Sequence, residues 1–301
     1  LLGSNNISAT GGTITINPTS GTHTYLGAIS GAVGVTKSGN GTQVLSSANT
    51  YSGATLVSGG VLRVTHANAL GSTAGITTVS GGGALEIVGG ITLAESLSIS
   101  GTGVSSNGAV RSVSGANTLS GSITLAANAE IQVDADALTI SPSSGNAITG
   151  AFALTTQTDA NLTIAGVMAM GTGSLTKTGA ANLILTANNT FTGSTTVSAG
   201  LLNLGNNTAA GSLAGAIVNN ASLQVQRSDD LTMANAISGS GTLTKLGTNT
   251  LTLTANNTYG GTTTIDGGTL VLQNNAPNPT SRTFAGTGAL RIESVGASFT
   301  S

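Results

Sequence analysis

Apolar residues recur at every second position over short stretches of this chain. Leu251 and Leu253, Thr263 and Ile265, then Leu270 and Leu272 alternate with polar or small neighbours, the period of two that marks strands with one buried face. Between these stretches stand Gly247, Asn256, Asn257, Gly260, Gly261, Gly267 and Gly268, residue types that suit positive φ or close approach at sharp corners. No segment of helical period with a cap stands out. The pattern predicts short strands joined by tight corners, and strands so short bury too little alone, so they must stack on one another.

Self-similarity supplies the stacking rule. Segments 34–64, 174–204 and 242–272 align without gaps, with matching positions separated by 140 and then 68 residues. A degenerate copy is expected midway in the longer interval, at 114–133, so that Asn49, Asn117, Asn189 and Asn257 mark one equivalent position. Rare residues obey the same register. The three lysines of the chain, Lys37, Lys177 and Lys245, share one repeat position, and Tyr51, Phe191 and Tyr259 share another. A coil of roughly 20 to 23 residues puts about three coils in each long repeat, and Leu253 and Leu272 then occupy equivalent places on successive coils. The expected fold is all-β: a right-handed, single-stranded parallel β-helix (β-solenoid). Residues 1–301 are read as one continuous unit of about four repeats of roughly 70 residues, on the order of 60 to 70 Å long.

Composition narrows the function classes. With 39% hydrophobic residues the chain has enough apolar side chains for a core, although 45 are glycine and 6% are charged, so disorder is not expected. A net charge of −2 and the absence of any cluster among the eight basic residues argue against a nucleic-acid partner. No stretch approaches 18 consecutive apolar residues, so the sequence is not expected to span a membrane. There is no cysteine, which removes disulfides, thiolate chemistry and Cys-based zinc sites.

The segments SLTKTGAANLILTANNTFTGSTTVSAGLLNL from Ser174 and TLTKLGTNTLTLTANNTYGGTTTIDGGTLVL from Thr242 resemble the passenger-associated transport repeat of bacterial autotransporters. Its hallmarks are a Leu-Thr-Lys-x-Gly opening, alternating Leu and Thr, then Asn-Thr-Tyr-x-Gly and Gly-x-Leu-x-Leu. The copy from Gly34 departs at Val35 and Gln43, and the copy around Asn117 lacks the lysine and the aromatic. The resemblance implies an exported, cell-surface passenger moved outward by a C-terminal β-barrel translocator of the full-length protein. The Gly-Asp-Ser-Gly segment of the exported serine proteases that share this architecture is absent.

Candidate chemistry is sparse. Asp134 and Asp136, spaced at i and i+2, are expected to project from one strand face, where a polysaccharide-cleaving β-helix would place its acid and base. No Arg or Lys follows them closely in sequence, so a solvated face is the expectation. Asp229 and Asp230 read as a turn. His23 and His66 lack the partners of a nucleophilic triad. The glycine-rich segments at Gly239–Thr242 and Gly286–Gly288 lack the helix and lysine of a phosphate loop.

Each lysine is expected to guard an apolar strand against lateral pairing, and the shared aromatics to pack corners. Threonine stripes such as Thr250–Thr254 suggest an ice- or polysaccharide-binding face, read as interrupted near Val79 and Leu223.

No catalytic, cofactor-binding or metal residue is assigned, and the chain is not expected to be an enzyme. The expected role is a structural and adhesive stalk contacting host surfaces, polysaccharide or, end to end, copies of itself. A segment of an extracellular filament and a polysaccharide-active β-helix are the alternatives.

Overall fold

The computed structural model describes residues 1–273 and 284–293; the parts of the expected 1–301 unit at 274–283 and 294–301 lie outside the described residues. The chain is a parallel β-solenoid of about 13 turns, and each turn visits three faces in the same order. On face A, strands Thr13–Ile16, Gly34–Lys37, Thr55–Val57, Thr77–Val79 and Leu97–Gly101 stack in sequence. On face B, Thr22–Tyr25, Thr42–Leu45, Gly60–Val64, Gly83–Val88 and Val110–Ser114 do the same. Face C is built from Thr92–Leu93, Ala116–Leu119, Ala137–Ile140, Asn161–Ile164 and Asn182–Leu185. The long strand Ile123–Val133 rounds the corner and belongs to both A and B. A single 3-10 turn, Val104–Ser106, is the helical element among the described residues.

The alternation seen in the sequence sets which side chains turn inward, and the register then stacks like on like. On face C, Leu138, Leu162, Leu183, Leu202, Leu223 and Leu243 are consecutive register partners, all fully buried. Each contributes about 1.5–3 kcal/mol of burial. Leu253 pairs with Leu272 on successive coils as the repeat required. The resulting core is one continuous cluster running from Ile16 to Leu272. Corners keep it narrow: a Cβ on Gly193 would lie 2.1 Å from the Gly173 carbonyl oxygen, and one on Gly215 would lie 2.0 Å from that of Gly193. Only glycine lets one coil settle this closely on the next.

Candidate functional site

The repeat residues act inside the solenoid. Lys37 is the register partner of Ile16 below and Val57 above, so its stem fills an apolar core slot. Its ammonium donates to the carbonyls of Ser38 (2.8 Å), Gly39 (2.9 Å) and Gly59 (2.8 Å). Lys177 repeats the tripod on Thr178 (2.7 Å), Gly179 (2.7 Å) and Ala199 (3.0 Å). Lys245 donates to the Leu246 and Gly247 carbonyls and the Asn249 side-chain oxygen, with a longer contact of 3.4 Å to the Gly267 carbonyl of the next coil.

All three lysines are 0% exposed, which overturns the expectation of outward guards. At Lys37 and Lys177 three corner carbonyls, and at Lys245 two carbonyls and the Asn249 side-chain oxygen, match the three donors of an ammonium, and this satisfaction is what permits a charge in the core. Burial still pushes Lys37 and Lys177 down to about 8.

The shared asparagines staple neighbouring coils. Asn49 accepts from the Ile29 N–H and donates to the Ala69 carbonyl, spanning three coils. Asn189 accepts from Met168 and donates to Ala187 and Ser212. Asn257 accepts from Ile237 and donates to Ala255. Asn117, in the degenerate copy, accepts from Gly90 and Ile91 and donates to Ser114, so the equivalence extends to its chemistry. Tyr51, Phe191 and Tyr259 are fully buried, packing corners as expected. The Tyr51 and Tyr259 hydroxyls pair with Thr55 and Thr263 at 2.6 and 2.7 Å.

Charged groups gather on the outside of face B. Arg63, Glu86 and Arg111 are register neighbours on three coils, and Asp134 extends the line at the following corner. Arg63 reaches Glu86 at 2.6 Å, Arg111 bridges to Glu86 at 3.3 Å, and Arg111 meets Asp134 at 2.7 Å. The hydrogen bond that Arg111 donates to Asp134 is the main cause holding the guanidinium pKa above its ordinary value.

Two expectations change here. Arg111, distant in sequence, is the partner of Asp134, because one coil of winding brings them together. Asp134 and Asp136 also do not share a strand face: Asp136 sits in the corner at φ +60° and accepts from the Gly115 N–H at 2.7 Å. The second oxygen of Asp134 accepts from Gln132 at 2.8 Å. The two carboxyls are committed to separate local partners, and the ladder presents guanidinium edges that remain about a third exposed at Arg63 and 27% exposed at Arg111.

The remaining candidates stay apart from this ladder. Asp229 and Asp230 lie at a bend; Asp229 pairs with Arg227 at 2.8 Å and Asp230 accepts from the Thr250 N–H at 2.6 Å. His23 meets the Ser20 carbonyl and His66 the Asn68 N–H. No helix follows either glycine-rich segment among the described residues.

The threonine columns are interrupted elsewhere than expected. Val79 and Leu223 point inward, whereas the outer column on face A reads Thr36, Leu56, Thr78, Ser98, Thr124 and Thr149, broken by Leu56. Sequence reasoning missed a shallow groove where Phe152, 40% exposed, borders Gly81, Gly101 and Asn128. Its signal was an aromatic outside the repeat position.

These braces lie in a parallel β-solenoid, and three of its segments, residues 35–64, 175–204 and 243–272, match the passenger-associated transport repeat. An autotransporter adhesin, BmaC of Brucella suis biovar 1 (strain 1330), is 36% identical over 91 residues, covering 30% of this chain and 3% of that protein. No solved structure matches. Among the described residues no helix is long and apolar enough to cross a membrane.

Proposed function

We propose that this chain is a structural and adhesive stalk segment of an exported, autotransporter-type passenger at the bacterial cell surface, without catalytic activity. In the full-length protein a C-terminal β-barrel translocator would carry it outward. The observation that supports this reading most is where the repeat spends its polar chemistry. Lysine tripods, asparagine staples and buried aromatics all hold coil to coil, while Asp134 and Asp136, the paired outer carboxylates, are tied to Arg111 and to the Gly115 N–H. The rod then provides reach and stiffness, and its outer side chains provide contact with host surface or polysaccharide.

Electron microscopy of the purified chain is the test of the stalk. Rods about 60 Å long are expected from about 13 turns at roughly 4.8 Å each; compact globules would overturn the reading. Polysaccharide turnover that disappears in the Asp134→Asn, Asp136→Asn double variant would replace it with an enzyme.

A further inference from the structure

Four successive coils form a shallow groove across the corner between faces A and B. Gly81, then Ser100 and Gly101, then Ala127 and Asn128, then Phe152 line it, on coils whose face A strands stack in that order. Its volume is about 590 Å³, inside the ~300–1,000 Å³ of small-molecule sites, and three inter-strand spacings make it ~14 Å long. The two floor glycines differ. A Cβ on Gly101 would lie 2.7 Å from the Gly81 Cα, so that position is closed to side chains, whereas a Cβ on Gly81 would meet nothing within 4 Å. The space above Gly81 is therefore one that the fold could fill and does not.

The walls carry the chemistry. Tyr25, Tyr51, Phe191 and Tyr259 are buried, whereas Phe152 is exposed, held in a tight turn by its N–H bond to the Gly150 carbonyl at 2.9 Å. On the coil before it, the Asn128 carboxamide oxygen accepts from the Ala153 N–H at 3.0 Å. That bond fixes which way the amide points, and its two Nδ2 donors have no partner among the described residues. Ser100 donates to the Val79 carbonyl at 3.4 Å, which leaves its oxygen as an acceptor. No charged residue lines the groove.

An exposed ring beside an oriented amide and a hydroxyl, without charge, matches the two sides of a sugar. The C–H groups of a pyranose suit the electron-rich face of an aromatic ring, and its hydroxyls both accept and donate. Peptide addition is unavailable, because the strands beneath, Leu97–Gly101 and Ile123–Val133, are paired on both sides and offer no sheet edge. The apolar part is one ring wide, far short of the roughly 800 Å² a side of a stable protein interface. We propose that the groove is a binding site for a neutral oligosaccharide: one sugar stacks on Phe152 and accepts from Asn128 Nδ2, and the next lies over the glycine floor and donates to Ser100 Oγ. The inference rests on the adhesive reading above and gives its polysaccharide contact one place on the rod.

The test is NMR titration of the intact chain with neutral oligosaccharides of glucose, galactose, mannose or N-acetylglucosamine, and with a sialylated one, up to ~10 mM to capture weak single-site binding. At least one neutral oligosaccharide should shift the Phe152 ring and the Asn128 side-chain amide. Phe152→Ala should weaken that binding about tenfold or more, the loss typical of a central aromatic contact, and Phe152→Tyr should retain it. Asn128→Asp keeps the acceptor for the Ala153 N–H and deletes the donors, and Gly81→Leu fills the open floor; both should weaken binding with core amide protection unchanged. Binding of no neutral oligosaccharide, preference for the sialylated one, or wild-type affinity in Phe152→Ala and Gly81→Leu would each overturn the groove. Attachment of the chain to whole polysaccharide or host cells that persists in Gly81→Leu would also overturn it while leaving the adhesive stalk standing; loss of attachment in the wild type would overturn the adhesive reading itself.

Discussion

Replacing Lys177 by Met keeps the length of the stem and removes the tripod. The carbonyls of Thr178, Gly179 and Ala199 each lose a donor. Stranding a buried acceptor costs about 1–3 kcal/mol, so three cost about 6 kcal/mol at the middle of that range. Thr178 keeps the Thr158 hydroxyl as a second donor at 3.2 Å, which places its share at the low end. Against this, the ammonium no longer has to be desolvated. Its fall from 10.5 to about 8, at ~1.4 kcal/mol per unit, is worth roughly 3 kcal/mol.

The net destabilisation expected is about 3 kcal/mol, or roughly 150-fold in local opening. Native-state amide exchange is the suitable assay, since long repeat arrays need not unfold in one step. Ser198, which donates to the Lys177 carbonyl, and Leu201, which donates to Ala181, should lose protection by that factor. A loss under about threefold, the scale of a surface substitution, would refute the brace.

Asn189→Asp replaces two N–H donors by a charge beside the Ala187 and Ser212 carbonyls; a loss of at least ~3 kcal/mol is expected, larger than for Asn189→Ala in the same exchange assay. Gly215→Ala forces a methyl against the Gly193 carbonyl and should destabilise by about 2–4 kcal/mol, read as a lowered urea midpoint; a neutral result would mean the coils are not packed as closely as described. Lys37 and Lys177 titrate near 8 in the fold against 10.5 ordinarily, so the unfolded chain binds more protons between those values. Stability should therefore rise with pH from about 8 upward: the urea midpoint at pH 9.5 should exceed that at pH 7.5, and a lower one would contradict the burial of these amines.

The coil length and the inward set were legible because both are local patterns: Leu251, Leu253, Leu270 and Leu272 alternate visibly, and the repeat fixes which of them stack. The orientation of the lysines was legible too, yet a general rule about charge obscured it. In Thr242–Leu246 the lysine stands two residues after inward Leu243, so its parity already turns it inward. Free corner carbonyls, which no sequence pattern displays, decide that a charge can remain there. The Arg111 and Asp134 pair was hidden differently, since 23 residues separate them and only the winding makes them neighbours.

Where the repeat devices lie around the rod limits what they can do. Lys37 is on face A; Lys177 stacks on the Leu154–Thr158 strand of face B, and Lys245 on the Ser222–Arg227 strand of face C. Each clear copy has thus turned by one face relative to the copy before it, because its spacing is not a whole number of coils. A periodic ladder of lysines along one side cannot arise from this geometry, even before their burial is considered. What the repeat distributes evenly is bracing: each face in turn receives a tripod, a staple and a corner aromatic, which stiffens the rod in all directions rather than decorating one surface. Any selectivity for a partner must then come from outer residues that do not repeat, such as Arg63, Arg111 and Phe152. Substituting Phe152 should change binding while leaving amide protection in the core untouched, and the reverse should hold for Lys177 and Asn189.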